Sequence, residues 1–147
     1  MKYSTKLSDT IHVLILVYFG EGEKLTSTKI AESIKTNPAY IRQLMSALKN
    51  AGIISNTRGQ AKATLTKTTD QITMLDIYRA VEGNKPLLHL DIDTNPECGV
   101  GINIQFSIGD FYQEIQEIAE EKMKRITLQD IIDRYYQKLE KGTSKEV

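Results

Sequence analysis

The chain has 147 residues, 40% of them hydrophobic, and no net charge, which fits one folded domain with an appendage and excludes a disordered chain. It shows no signal peptide and no membrane-spanning run, and its single cysteine excludes an internal disulfide, so we expect a cytoplasmic protein. Residues 26–67 carry seven basic and one acidic side chain, whereas the sequence from 68 onward is net acidic. This segregation is typical of a nucleic-acid-binding protein, although a chance cluster on a solvated surface is the alternative.

Caps and apolar spacing predict the first two helices. Apolar residues between 11 and 18 recur at helical spacing behind a cap at Ser8 or Asp9, and glycines at 20 and 22 end this helix. Thr26 is the expected N-cap of a short second helix over residues 27–34. This second helix buries an apolar face.

A third helix follows a tight turn. Asn37 is its expected N-cap, Pro38 occupies the first helical position, and Gly52 ends it. One face is apolar, and the opposite face is polar or basic, with Ala39, Arg42, Gln43, Ser46 and Lys49 in one stripe. Two short helices with such a stripe on the second predict a helix-turn-helix whose second helix enters the major groove of DNA, the alternative being an ordinary solvated helix pair.

The next segment predicts a β-hairpin. Residues 53–57 and 63–66 have strand propensity, and the turn between them contains Arg58 and Lys62. A hairpin directly after the recognition helix is a wing, whose basic tip can reach phosphates or the minor groove. Hairpins with a purely structural role also end in charged tips, so the DNA contact rests on the combined basic surface.

The C-terminal half is predicted to hold three helices and a long loop. A fourth helix covers 72–82, a loop over 84–101 contains Cys98, and a long helix spans about 102–125. Its apolar residues Ile104, Ile108, Phe111, Ile115 and Ile118 recur near heptad spacing, which predicts a dimerisation helix. A last helix starts at Thr127 and buries Leu128, Ile131, Ile132 and Tyr135.

These elements predict a mainly α fold with a small β wing, divided into four segments. Residues 1–83 form a winged helix-turn-helix DNA-binding domain, 84–101 a sensor loop, 102–141 the dimerisation helix and C-terminal helix, and 142–147 a disordered tail.

Four stretches resemble the Rrf2 family of bacterial winged helix-turn-helix regulators. They are the helix pair with Asn37-Pro38, the Arg58-Gly59 wing, the run over 72–83 and the loop ending in Cys98, and the resemblance covers nearly the whole chain. It implies a homodimer, held by the long helix, that binds a pseudo-palindromic operator in double-stranded DNA. Tyr40, Gln43 and Arg58 match DNA-contacting positions of the family.

The chain also departs from the family pattern. Ala39 stands where a serine is common, and residues 60–64 replace the usual glycines and aromatic residue of the wing. Cluster-binding members use three closely spaced loop cysteines, whereas this chain has only Cys98. Because an iron–sulfur centre needs about four protein ligands, we expect no cluster, no other cofactor and no metal ion, and we expect His89 to be a surface residue.

The sequence therefore predicts a sequence-specific transcription regulator, which we interpret as a repressor. Its expected DNA-contacting residues are Thr28, Ala39, Tyr40, Arg42, Gln43, Ser46, Lys49, Arg58 and Lys62. Cys98 is the candidate redox sensor, with an inert thiol as the alternative and with an unidentified effector in either case. A winged-helix module that docks proteins without sequence-specific DNA binding is the second functional class. Enzymatic activity is excluded because no nucleophile–base set and no glycine-rich phosphate loop is present.

Overall fold

The computed structural model of the chain describes residues 3–20, 25–56 and 63–142. Its elements in chain order are α1 (Lys6–Phe19), α2 (Ser27–Ile34), α3 (Pro38–Asn50), β1 (Ile54–Asn56), β2 (Ala63–Leu65), α4 (Met74–Glu82), α5 (Gly99–Arg125) and α6 (Leu128–Glu140). The fold is mainly α with a small antiparallel sheet, which confirms the predicted fold class. Within the described ranges, none of the helices is both long and apolar enough to cross a membrane.

Side-chain caps define the helix pair α2–α3. The Thr26 hydroxyl accepts a hydrogen bond from the Lys29 amide, and the Asn37 carbonyl oxygen accepts one from the Tyr40 amide at 2.8 Å. Between them, Lys35 ends α2 with a φ of 59°, a left-handed conformation that turns the chain sharply. Both helices therefore begin at the residues that the sequence predicts.

The hydrophobic core lies around α1, which packs against α2, α3, α4, α6 and β2. Each of these elements contributes an apolar face, and the fully buried side chains include Val13, Leu14, Ile30, Ile41, Leu48, Ile72, Ile77, Leu128 and Ile132. Burying one such side chain stabilises the folded state by about 1.5–3 kcal/mol. The core consequently fixes the buried side of α3 and leaves the opposite side free.

The wing follows α3 directly. Strands β1 and β2 pair antiparallel, with Ile54 opposite Leu65 and Asn56 opposite Ala63. The hairpin is joined to the end of α3, because the Ile53 amide donates to the Leu48 carbonyl at 2.9 Å. The turn over 57–62 lies outside the described residues.

Helices α4 and α6 begin side by side. Thr73 and Thr127 form an antiparallel bridge in which the Met74 amide donates to the Ile126 carbonyl and the Leu128 amide to the Ile72 carbonyl, both at 2.8 Å. Each threonine also caps its helix through a reciprocal pair of hydrogen bonds with the aspartate three residues later. This arrangement explains why α4 begins at Met74, two residues later than predicted, with Ile72 buried ahead of it.

Three further expectations differ from the structure. Helix α1 already begins at Lys6, because the Asp9 amide donates to the Thr5 carbonyl. Helix α5 begins at Gly99 rather than near 102, because Cys98 acts as its N-cap. Tyr135 is 41% exposed instead of buried, and its ring packs on Phe19 with centroids 5.4 Å apart. Of the predicted tail, residues 143–147 lie outside the described residues.

Candidate nucleic-acid interface

The side of α3 that faces away from the core is exposed and polar or basic. All five residues of the predicted stripe are exposed: Ala39, Arg42, Gln43, Ser46 and Lys49. Ile41, Leu44 and Leu48 occupy the opposite side and are buried. Since the core holds α3 by that apolar side, the stripe lies on a single accessible face of the helix.

Helix α2 extends this surface. Thr28 is exposed in its first turn, where backbone amides have no partners within the helix, and Lys29 lies next to it. Such an N-terminus favours anions such as phosphate. Thr28 therefore lies where a contact to the DNA backbone is chemically reasonable.

Tyr40 differs from the rest of the predicted set. It is partly buried, packs against the core, and its hydroxyl donates to the Asp9 carboxylate of α1 at 2.9 Å. Burial first, and the hydrogen bond to Asp9 second, raise the pKa of Tyr40 to about 12. The structure thus directs this phenol toward α1, while the other residues of the set on α2 and α3 are exposed.

Arg58 and Lys62 of the predicted set lie in the turn over 57–62 and therefore outside the described residues. The strands on either side of this turn are described, and Ser55, Asn56 and Thr64 are exposed on them. The wing is thus present as an element directly after α3, and the role of its two basic residues stays a prediction.

Helix α5 exposes an apolar face, in contrast to the polar and basic face of α3. Not one of its 27 residues is buried, and one face carries Ile104, Phe111, Ile115 and Ile118 at 52%, 65%, 48% and 72% exposure. Ile108, in the same stripe, is half-buried. These residues occupy alternating positions three and four apart, as in the a/d seam of a coiled coil. A single chain leaves this seam uncovered.

The other side of α5 rests on α4 and on the loop between them. The side chain of Gln116 accepts a hydrogen bond from the Leu87 amide at 2.9 Å and donates one to the Tyr78 hydroxyl. Arg79 pairs with Glu120 at 3.3 Å. Sequence reasoning missed Gln116, because a glutamine on a long helix carries no local signal of a partner some 30 residues away.

Cys98 is exposed and caps α5. Its sulfur accepts a hydrogen bond from the Gly101 amide at 3.4 Å, and its own amide donates to the Asn95 carbonyl. The thiol predicted to lie within the sensor loop is therefore placed at the boundary between this loop and the long helix. His89, also exposed, lies in the same connection.

The residues present do not fit an iron–sulfur cluster. The chain contains one cysteine, and its sulfur is placed as a helix cap. In the part of the chain that the structure describes, no three His, Cys, Asp or Glu residues come together as metal ligands. A cluster requires about four protein ligands, so no step of function is assigned to one.

The chain is similar to known DNA-binding regulators in both sequence and structure. Residues 3–134 fit the family model of Rrf2, described as an iron-dependent transcriptional regulator. YwnA of Bacillus subtilis, named as an HTH-type transcriptional regulator, is 32% identical over 133 residues, which cover 90% of this chain and 98% of YwnA. A crystal structure described as a DNA-binding protein superposes with a TM-score of 0.71 at 31% identity, covering 87% of this chain and 99% of that one.

A second solved structure is CymR, the global cysteine regulator of B. subtilis. It has a TM-score of 0.64 and 25% identity, and the match covers 91% of this chain and 98% of CymR. These similarities favour DNA binding over the protein-docking alternative and over catalysis. The chain belongs to the Rrf2 family and is a DNA-binding transcription regulator.

Proposed function

We propose that the protein binds a pseudo-palindromic operator as a homodimer and represses transcription in the cytoplasm. The observation that carries this proposal is the exposed polar and basic face of α3, held in place by a buried apolar face. In a helix-turn-helix dimer, each recognition helix reads one half-site, and the half-sites lie one helical turn or a multiple apart. A dimer bound across a promoter blocks access of the polymerase.

Arg42 and Gln43 are the base-reading residues in this proposal. Arginine pairs bidentately with guanine and glutamine with adenine, and each good pair discriminates by about 1–3 kcal/mol. Ala39 offers a methyl group to thymine, whereas Ser46, Lys49 and Thr28 serve phosphate contacts. Arg58 and Lys62 of the wing add contacts to phosphate or to the minor groove.

Binding measurements on single variants test this assignment. An operator is first selected from genomic fragments with the purified protein, and affinity is then measured at several salt concentrations. Arg42→Ala and Gln43→Ala should each lower operator affinity by about tenfold or more and relax base preference. Lys49→Ala should weaken binding to all duplexes alike and reduce the log–log salt slope by about 0.9 for each of the two copies in the dimer.

Lys124→Ala is the matched control, because it removes the same charge from the exposed surface of α5, away from α3. It should leave both affinity and salt slope unchanged. The assignment is wrong if Arg42→Ala and Gln43→Ala lower the affinity for operator and unrelated DNA equally, or if binding does not respond to salt.

The apolar face of α5 supports the homodimer. Four large side chains of one stripe are about half exposed or more, which is costly for an isolated chain in water. Their heptad spacing fits a second copy of the same helix, since each seam residue then packs among residues of its counterpart. Sedimentation at micromolar concentration should give twice the monomer mass of 16.6 kDa. A monomer would contradict the proposal, as would an operator without paired half-sites.

Cys98 is the residue that we propose as a thiol-based sensor. Its exposed sulfur at the start of α5 is accessible to a small disulfide, which the Cys98 thiolate attacks to form a mixed disulfide while the other sulfur leaves as a thiolate. The added group would displace the sulfur from its contact with Gly101 and disturb the first turn of the dimerisation helix. A bridge between the two copies requires Cα atoms within about 7 Å, so we favour the mixed disulfide.

Cys98→Ser separates sensing from DNA binding. The variant should keep the DNA affinity of the reduced protein, because serine is itself a good N-cap. It should also retain that affinity after treatment with an oxidised small thiol, while the unmodified protein loses affinity and gains the adduct mass. Continued release of DNA by the serine variant would show that Cys98 is not the sensor.

A further inference from the structure

Asp9 lies on α1, outside the residues proposed to touch DNA, yet its carboxylate is bonded to the recognition helix. One of its oxygens accepts hydrogen bonds from the Tyr40 hydroxyl at 2.9 Å and from the Thr5 hydroxyl at 3.1 Å. Among the described residues, Asp9 forms no ion pair. The Tyr40 hydroxyl is therefore the contact by which this carboxylate reaches α3.

Tyr40 is held at two points. Its backbone amide donates to the Asn37 side chain at 2.8 Å, which fixes the first turn of α3, and its hydroxyl is fixed by Asp9. The ring spans from α3 to α1 and packs against the core. A rotation of α3 about its own axis must break the second contact, even if the cap remains intact.

Such a rotation matters for base recognition. A side chain on an α-helix ends about 6 Å from the helix axis, so a rotation of about 10° moves it by about 1 Å. Hydrogen bonds to base edges operate over a range of about half an ångström, which a shift of that size exceeds. Arg42 and Gln43 lie within one turn of Tyr40, so they follow any rotation of the first turn.

The segment before α1 is itself anchored. The Ser4 hydroxyl donates to the Glu82 carboxylate at the end of α4. Asp9, in the first turn of α1, thus directly follows a segment that is hydrogen-bonded to α4. This anchoring makes Asp9 a fixed point against which Tyr40 can orient α3.

The negative charge of Asp9 does not itself strengthen DNA binding. A carboxylate beside a DNA-binding helix repels phosphates, so on its own it lowers the affinity for every duplex. The raised pKa of Tyr40 means that its hydroxyl keeps its proton across the physiological range, so the contact with Asp9 persists there.

We propose that Asp9 is a positioning residue for base recognition, which sets the rotation of α3 through the Tyr40 hydroxyl. The inference rests on the proposed role of α3 in reading bases. It also assigns Tyr40 a role in orienting α3, instead of the direct DNA contact that the family resemblance implies. The two roles predict different outcomes when Asp9 and Tyr40 are changed together.

The test compares the ratio of operator affinity to the affinity for an unrelated duplex. Asp9→Ala and Tyr40→Phe should each lower this ratio by about five- to tenfold, because each removes a hydrogen bond to a charged group. The double variant should lose no more than either single variant. Asp9→Asn should retain most of the ratio, since an amide oxygen still accepts the phenolic proton.

Ser8→Ala is the matched structural control, since it removes a neighbouring hydrogen bond of α1 without touching Tyr40. It should leave the ratio unchanged, and binding is measured well below the unfolding midpoint of every variant. Additive losses in the double variant would assign Tyr40 a direct DNA contact and overturn the inference. An unchanged ratio would overturn it as well, including the case in which Asp9→Ala binds both duplexes more tightly by the same factor.

Failure of the proposed function is distinguishable from failure of this inference. If Arg42→Ala and Gln43→Ala leave the ratio unchanged, α3 does not read bases. The proposed function of α3 and the positioning role of Asp9 are then both wrong. If those two variants behave as expected while the Asp9 variants match the unmodified protein, only the positioning role is wrong.

Discussion

Helices α3 and α5 are both partly exposed, but they expose opposite kinds of surface. Helix α3 buries Ile41, Leu44 and Leu48 and presents polar or basic side chains to solvent. Helix α5 buries no residue and presents Phe111, Ile118 and their neighbours. Helix α3 thus has its apolar side covered within one chain and offers a surface suited to DNA, whereas α5 leaves an apolar stripe exposed, which we propose that a second copy covers.

A charge placed in the seam of α5 should have the largest effect. Ile115→Asp puts a carboxylate where a second copy is expected to pack, and the burial of an unpaired charge is prohibitive. The variant should be monomeric by sedimentation. Its operator affinity should fall by about 100-fold or more, since the two half-sites are no longer bound together.

Gln113→Asp introduces the same charge on the outward side of α5 and serves as the control. It should remain dimeric and bind DNA normally. A dimeric Ile115→Asp protein would erase the contrast between the two helices, because α5 would then not be the interface.

Shortening an apolar side chain should affect the stability of the fold differently in α3 and in α5. Ile41→Ala in α3 should lower the free energy of unfolding by about 2–5 kcal/mol, because its side chain is fully buried. Ile104→Ala in α5, at a half-exposed site, should destabilise only through dimerisation. Urea unfolding at two protein concentrations measures this, and the Ile104→Ala deficit should depend on concentration. Equal, concentration-dependent losses for both variants would contradict the distinction.

The caps of the two helices should differ in strength. Asn37→Ala removes a 2.8 Å cap from α3 and should cost about 1 kcal/mol in thermal unfolding. Cys98→Ser replaces a weak sulfur acceptor at the start of α5 and should change stability by less than about 0.5 kcal/mol. A larger loss for the serine variant would mean that the thiol has a packing role that the structure does not show.

The smallest effect concerns Asp130 in the first turn of α6. Hydrogen bonding to the backbone and side chain of Thr127 lowers the pKa of Asp130 below its usual value. A depressed carboxyl pKa stabilises the folded state above the ordinary pKa, and this contribution disappears as the pH falls through the folded-state value. Asp130→Asn should therefore slightly lower the melting temperature at pH 7, and this difference should disappear as the pH falls through the depressed pKa of Asp130.

The sequence predicted best those features that depend on neighbouring residues. Thr26, Asn37 and Pro38 determine the ends of α2 and α3 by local hydrogen bonding, so both helices begin where expected. The exposed stripe of α3 follows from helical periodicity, and so does the apolar stripe of α5. The family resemblance added the identification as a DNA-binding transcription regulator, which the comparisons confirm.

Features created by distant partners could not be predicted. The contact from Tyr40 to Asp9 joins residues 31 positions apart, and the bridge between Thr73 and Thr127 joins two helix starts. The start of α5 was missed for another reason. Glycines at 99 and 101 weaken helix propensity locally, but the cap at Cys98 and the length of the helix outweigh them.

The bridge between Thr73 and Thr127 gives α5 the mechanics of a lever. Its C-terminal end is tied to the winged-helix domain there, and Gln116 is hydrogen-bonded to Tyr78 and Leu87 further along, which leaves about 25 Å of helix from Gln116 to the first turn at Cys98. As a stiff rod held over this C-terminal part, it converts a tilt of about 5° into a shift of about 2 Å at the tip. Conversely, a force applied near the Cys98 thiol exerts a large torque on the anchored C-terminal part of α5.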